Sequence, residues 1–170
     1  MAVPITYFAS IHYNIYVMLK ATVDYLTREG SSYENTKFEI INLDHIEGLP
    51  DTESVSCFLG YSIKHNICKQ SGTTQDESSG FLNFMVGTPK PENEQQYFSE
   101  NHICIFYEAL EKFSSLFCTK AITIDGEELD TALLRYDEID EIQTTSEKGY
   151  ILSDALLRIV FSPDYLSYSE

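Results

Sequence analysis

The chain has 170 residues, about one domain's worth, with 43% apolar and 22% charged residues and eight glycines and five prolines. That composition excludes a disordered, collagen-like or linker-dominated protein. Eleven basic residues against twenty-seven acidic ones give a formal charge of −16, which opposes binding to phosphate backbones and excludes a general nucleic-acid binder.

No stretch approaches eighteen consecutive apolar residues, so no membrane-spanning helix is expected. Met1 to Tyr7 carry no basic segment of the kind that opens a secretory signal. Residues 5–29 read as a helix. Ile5, Phe8, Ile11, Ile15, Met18, Leu19, Thr22, Val23 and Leu26 recur at steps of three and four and form one apolar stripe. Arg28 suits the negative end of the helix dipole, and Gly30 can take the left-handed conformation that stops it. Ser31 to Asn35 then form a loop.

Lys37 to Leu43 is short, β-branched and aromatic, which predicts a strand. After the turn residues Gly48, Pro50 and Asp51, strict alternation places Val55, Cys57, Leu59, Tyr61 and Ile63 on one face. Period two with one apolar side predicts a half-buried strand. The stretch from Ser71 to Gly80 has no hydrophobic residue and reads as a hairpin tip, at about residues 69–80, because Phe81 to Val86 is again a strand. Pro89 and Pro91 block its continuation, and Pro91 suits the first turn of a helix. Phe98, Ile105, Phe106, Ala109, Leu110, Phe113, Leu116 and Phe117 form the buried stripe of that second helix.

The last third is strand-rich and acidic, with twelve acidic and three basic residues in positions 121–170. Ala121 to Ile124 and Ala132 to Tyr136 are candidate strands around the turn Asp125–Gly126. Tyr150 to Phe161 carries bulky groups on both faces, which predicts a central strand covered on both sides. The expected order is α-β-β-β-α-β-β-β: one α+β domain over residues 1–170, two long helices packed on a mainly antiparallel sheet.

Candidate chemistry is sparse. Cys57, Cys68 and Cys104 sit in apolar segments and, with no Cys-x-x-Cys pair among the four cysteines (Cys118 is the fourth), read as reduced core thiols. His65-x-x-Cys68 and His102-x-Cys104 offer four soft ligands, but residues two apart on a helix diverge by about 200°, so no zinc site is expected. The two histidines are expected near strand and helix surfaces, partly exposed. The acidic runs Asp125–Asp130 and Asp137–Glu141 lack the spacing of a calcium loop and read as solvated carboxylate loops. Gly-x-Ser-x-Gly, Gly-x-Gly-x-x-Gly and the phosphate-binding loop are all absent. The expectation is a non-enzymatic protein with no cofactor and no metal. Several of the twelve tyrosines (Tyr7, Tyr13, Tyr61, Tyr136, Tyr150, Tyr165, Tyr168) fall at predicted ends or surfaces, suiting either an interface or the edge of a β-rich fold.

The layout resembles the tail-terminator proteins of long-tailed phages. The helix through Ile15 and Leu26, the strand from Glu53 to Ile67, the polar tip Ser71–Gly80, the strand Phe81–Pro89, the helix through Phe106 and Phe113, and the closing strand Gly149–Ser162 follow that family's order. Caps of contractile tails and injection machines are similar in the same way. The resemblance implies a virion protein, assembled in the host cytoplasm, that forms a ring, commonly a hexamer, at the head-proximal end of a tail tube. Its partners would be copies of itself, the tail tube protein, and a neck or head-completion protein, with no specific nucleic-acid binding and no membrane. An acidic lumen suits DNA that must slide without sticking. Asp137, Glu138, Asp140 and Glu141, in a loop facing the lumen or a neighbour, are the candidate contact residues, with Tyr136 and Tyr150 beside them. The alternative from another class is an acidic inhibitor or adaptor whose surface imitates nucleic acid.

Overall fold

The computed structural model describes residues 7–44, 57–67, 78–90, 100–117, 122–124, 127–129 and 134–161. Helix α1 (Tyr7–Leu26) buries Ile15, Met18, Leu19, Thr22 and Leu26 along the stripe its spacing predicts. Thr22 is tolerated in that stripe because its hydroxyl donates to the Met18 carbonyl at 2.8 Å. The helix stops three residues earlier than expected. Ser31 Oγ donates to the Leu26 carbonyl at 2.6 Å, the Arg28 guanidinium donates to the Tyr25 carbonyl at 2.6 Å, and Gly30 takes a φ of 83°. These donors satisfy carbonyls that the last turn leaves open.

Strands β1 (Phe38–Asn42), β2 (Cys57–Ile67) and β3 (Ser78–Pro89) follow, then helix α2 (Glu100–Leu116). The acidic third folds as β4 (Ile122–Ile124), β5 (Glu127–Leu129), β6 (Leu134–Glu147) and β7 (Tyr150–Phe161). The main sheet has the order β1-β2-β3-β7-β6; β1 runs parallel to β2 and every other pair is antiparallel. The α+β class and the two helices on a mainly antiparallel sheet are as expected. β4 and β5 form a separate two-stranded ribbon.

Three details depart from the sequence reading. β3 begins at Ser78, opposite Ile67, so the last residues of the expected polar tip belong to the ladder. β4 pairs with Glu127–Leu129 rather than with Ala132–Tyr136, and the turn Asp125–Gly126 lies outside the described residues. Most consequentially, Asp137–Glu141 is not a loop: it lies inside the fourteen-residue β6. That strand turns into β7 through Lys148 and Gly149, both at positive φ (48° and 82°), the conformation of a tight two-residue hairpin.

The helices cover one face of the sheet. Leu59, Leu82, Phe84, Val86, Ala155, Leu157 and Ile159 meet Met18, Leu19, Phe106, Ala109 and Phe113 there. Phe84 stacks on Phe113 with ring centres 4.9 Å apart, tying α2 to β3. On the opposite face, Ile41, Phe58, Tyr150 and Leu152 form a smaller cluster, supported by Leu43 and Met85. This second cluster explains why β7 carries bulky residues on both sides at its start. Its far end opens to solvent at Arg158.

Candidate functional site

The six residues expected to make contacts separate in the structure. Asp137, Glu138, Asp140 and Glu141 all lie on β6, whose only neighbour among the described residues is β7. The register steps over Asp137 between Tyr136 and Glu138, and over Asp140 between Ile139 and Glu141. Each is the extra residue of a bulge, whereas Glu138 stands opposite Arg158 and Glu141 opposite Leu156. Tyr136 pairs with Ile159 across the ladder. Tyr150 is fully buried, its ring edge-on to Phe58 at 5.3 Å, so it presents nothing to a neighbour or a lumen. The burial follows from the second apolar cluster, which the strand pattern alone does not reveal. Tyr61 is buried as well, while Tyr16, Tyr25 and Tyr107 on the helices are exposed.

A polar cluster that the sequence did not announce sits under the start of α2. His102 is 1% exposed, contrary to the expectation of a partly exposed ring. Its Nδ1 lies 2.7 Å from Thr88 Oγ1 on β3, and its Nε2 lies 2.7 Å from Ser153 Oγ on β7. Ser153 Oγ is in turn 2.9 Å from Thr144 Oγ1 on β6. One helix residue is thereby linked to three adjacent strands. A neutral imidazole donates from one nitrogen and accepts at the other, and the hydroxyls rotate to match either arrangement. Burial lowers the His102 pKa to about 4, so the ring is uncharged at neutral pH.

The Ser153–His102 contact resembles a nucleophile and its base, but three facts oppose that chemistry. Thr88, His102 and Ser153 are all buried, leaving no room for a substrate. The group at Nδ1 is a neutral hydroxyl rather than a carboxylate, and a base with a pKa near 4 has little tendency to take a serine proton. The cluster acts as a polar rivet that satisfies its own members. No local sequence signal reveals it, because His102 stands 14 positions from Thr88 and 51 from Ser153.

The other candidates also divide. His102 points into the core while Cys104, two residues on, is exposed, which is the divergence expected of helix neighbours two apart. Cys104 is therefore not a core thiol: it falls on the solvated side of α2, despite flanking Ile103 and Ile105. Cys57 is buried as expected, and burial pushes its thiol up to about 11. Cys68 and Cys118 lie outside the described residues, as does any structural statement on the His65 side chain. Among the described residues no three His, Cys, Asp or Glu side chains gather where they could hold a metal ion, and no helix is long and apolar enough to cross a membrane.

Comparison with protein-family models gives no match for this chain, and none of the curated proteins matches it either.

Proposed function

We propose that this chain is a structural, self-assembling virion protein, a ring of the tail-terminator kind that caps a tail tube and joins it to the neck. The observation that carries the reading is the uncovered apolar side of β6. Ile139 and Ile142 stand opposite Leu157 and Ala155, which are core residues on the helix-bearing face, yet they are 36% and 43% exposed. The helices make their main sheet contacts with β1, β3 and β7. Exposed aliphatic residues on a free edge are characteristic of surfaces that bind protein.

The helix, three-strand, helix, closing-strand order supports the same reading, as does the absence of a reachable nucleophile–base pair among the described residues. In a ring each copy uses its β6 side against a different surface of the next, so the contact is head to tail and closes by rotation. A net charge of −16 keeps a DNA-filled lumen non-adhesive. Light scattering on the purified chain across a concentration series tests the proposal, with electron microscopy of the same samples. The expected result is a closed species of six chain masses and visible rings. A mass of one chain at every concentration, with or without tail tubes, overturns it.

A second reading draws on the two bulges, which place Asp137 and Asp140 where a continuous ladder would otherwise offer itself to another strand. An edge defended in this way suits a solitary acidic protein that occupies a basic groove in place of nucleic acid. A monomer or dimer that competes with DNA for a basic protein is the result this reading expects.

A further inference from the structure

We propose that copies of this chain join by continuing the sheet: the hairpin half of β6, Ile142 to Glu147, pairs antiparallel with β1, Phe38–Asn42, of the next copy. The proposal rests on the ring reading above and names the two surfaces that meet. β1 and β6 are the two edges of the five-stranded sheet, so among the described residues each has backbone N–H and C=O groups with no strand beside them.

The two halves of β6 differ. The first is broken by the bulges at Asp137 and Asp140, whereas Ile142 to Glu147 run opposite Ala155 to Tyr150 without a step. All six of these residues are exposed. Thr144 and Thr145 stand at the centre, and the stretch contains neither proline nor lysine, the residues that commonly blunt an edge. This half is thus an undefended edge of six residues, and β1 offers five.

Direction follows from the topology. β6 runs opposite to β7, β7 opposite to β3, β3 opposite to β2, and β2 alongside β1, so β6 and β1 point opposite ways. Rotation about an axis along the strands leaves strand direction unchanged, so the two edges of successive copies meet antiparallel. A ring closed in this way has no free sheet edge left.

Register follows from faces and charge. Phe38 and Ile40 lie against the helix-side core, while Ile41 belongs to the cluster on the opposite face. On β6, Ile142 and Thr144 stand opposite Ala155 and Ser153, which are the helix-side residues of β7. Keeping the faces together allows only registers two residues apart. In one of them Asn42 meets Ile142, Ile40 meets Thr144 and Phe38 meets Ser146. That register sets Lys37 opposite Glu147, and it places Ile142 diagonal to Ile40, which its own chain leaves partly buried. The Lys37 side chain is 69% exposed and touches only the edge of Glu39, at 3.7 Å. A slip of two residues one way brings Glu39 against Glu147, and a slip the other way carries Asn42 onto the bulge at Asp140.

Cross-linking tests the contact. Chains carrying Glu39→Cys and chains carrying Thr145→Cys, directly opposed in this register, are mixed, assembled and oxidised, and the linked peptides are mapped by mass spectrometry. The expected result is a disulfide joining position 39 of one chain to position 145 of another. Rings that form without this link, or that link position 145 to itself, overturn the proposal and leave the ring reading standing; a chain that never assembles overturns both. Charge reversal is the independent readout. Lys37→Glu and Glu147→Lys should each raise the concentration for half-assembly about fivefold, and the two together in one chain should restore it. Equal assembly of the parent, both single variants and the double variant, all folded by circular dichroism, also overturns the pairing.

Discussion

Phe58 lies across Gly87. The two are directly opposed in the β2–β3 ladder, and a Cβ placed on Gly87 would sit 2.2 Å from Phe58 Cε1. The absent side chain is the floor on which the ring rests, and from there Phe58 reaches Tyr150 edge to face at 5.3 Å. Close approach therefore demands glycine here, with no unusual backbone angle involved. Gly87→Ala is expected to destabilise the chain by about 1–3 kcal/mol through overpacking. Combined with Phe58→Ala it should add much less than it costs alone, since the obstructing ring is gone. Denaturant melts of the two single variants and the double variant check this, and strict additivity would contradict it.

The buried imidazole makes stability depend on acid. His102 binds its proton at about pH 4 when folded and near its ordinary 6.5 when unfolded. Between those values the unfolded chain holds more protons, so stability falls as the pH is lowered through that window, and the full penalty of up to ~3 kcal/mol is reached below both. Above pH 6.5 both states are neutral at this position and it contributes no slope. Carboxylates titrate in the same range, so the informative quantity is the difference between the parent and His102→Gln. The variant should show a shallower loss of stability from pH 6.5 to 4, measured by chemical denaturation. Equal slopes would contradict the assignment.

Two cysteines should differ sharply in reactivity. Cys104 is exposed, whereas Cys57 is buried with its thiol pushed up to about 11. A short pulse of iodoacetamide at pH 8 followed by peptide mapping should modify Cys104 and spare Cys57, because the thiolate is the reacting form. Denaturant should remove the difference.

Replacing Asp137, Glu138, Asp140 and Glu141 together by lysine tests the assembly reading at its edge. Ring formation and particle yield are expected to fall, with the monomer still folded by circular dichroism. Unchanged rings after the reversal would remove these residues from the interface. Ile139→Lys and Ile142→Lys should each have the same effect if the uncovered apolar side of β6 is the contact.

Strong single-period signals were legible. The helical stripe through Ile15, Met18, Leu19 and Leu26, the alternation of Cys57, Leu59, Tyr61 and Ile63, and the left-handed backbone at Gly30 all appear where local patterning puts them, although α1 itself ends earlier, at Leu26. Beyond its first residues, Leu134 to Tyr136, β6 was not legible, and the reason lies in its bulges. Each extra residue resets the alternation, so the positions paired with Ile159, Leu157 and Ala155 (Tyr136, Ile139 and Ile142) are spaced by three rather than two. Such a run satisfies neither the strand period nor a helix with its acidic fillers. The His102 rivet and the burial of Tyr150 were hidden for a different cause. Both depend on which strands become neighbours, and no local pattern carries that information.

β7, the last described strand, lies between β3 and β6, so Ser78 pairs with Phe161, about half the chain away. During synthesis the ribosome releases both flanking strands before the piece that joins them. Until β7 emerges, β3 and β6 have no partner in common, and the polar rivet lacks Ser153. The sheet therefore closes only once β7 has been made, which places its long-range pairing with β3 late and slow in folding.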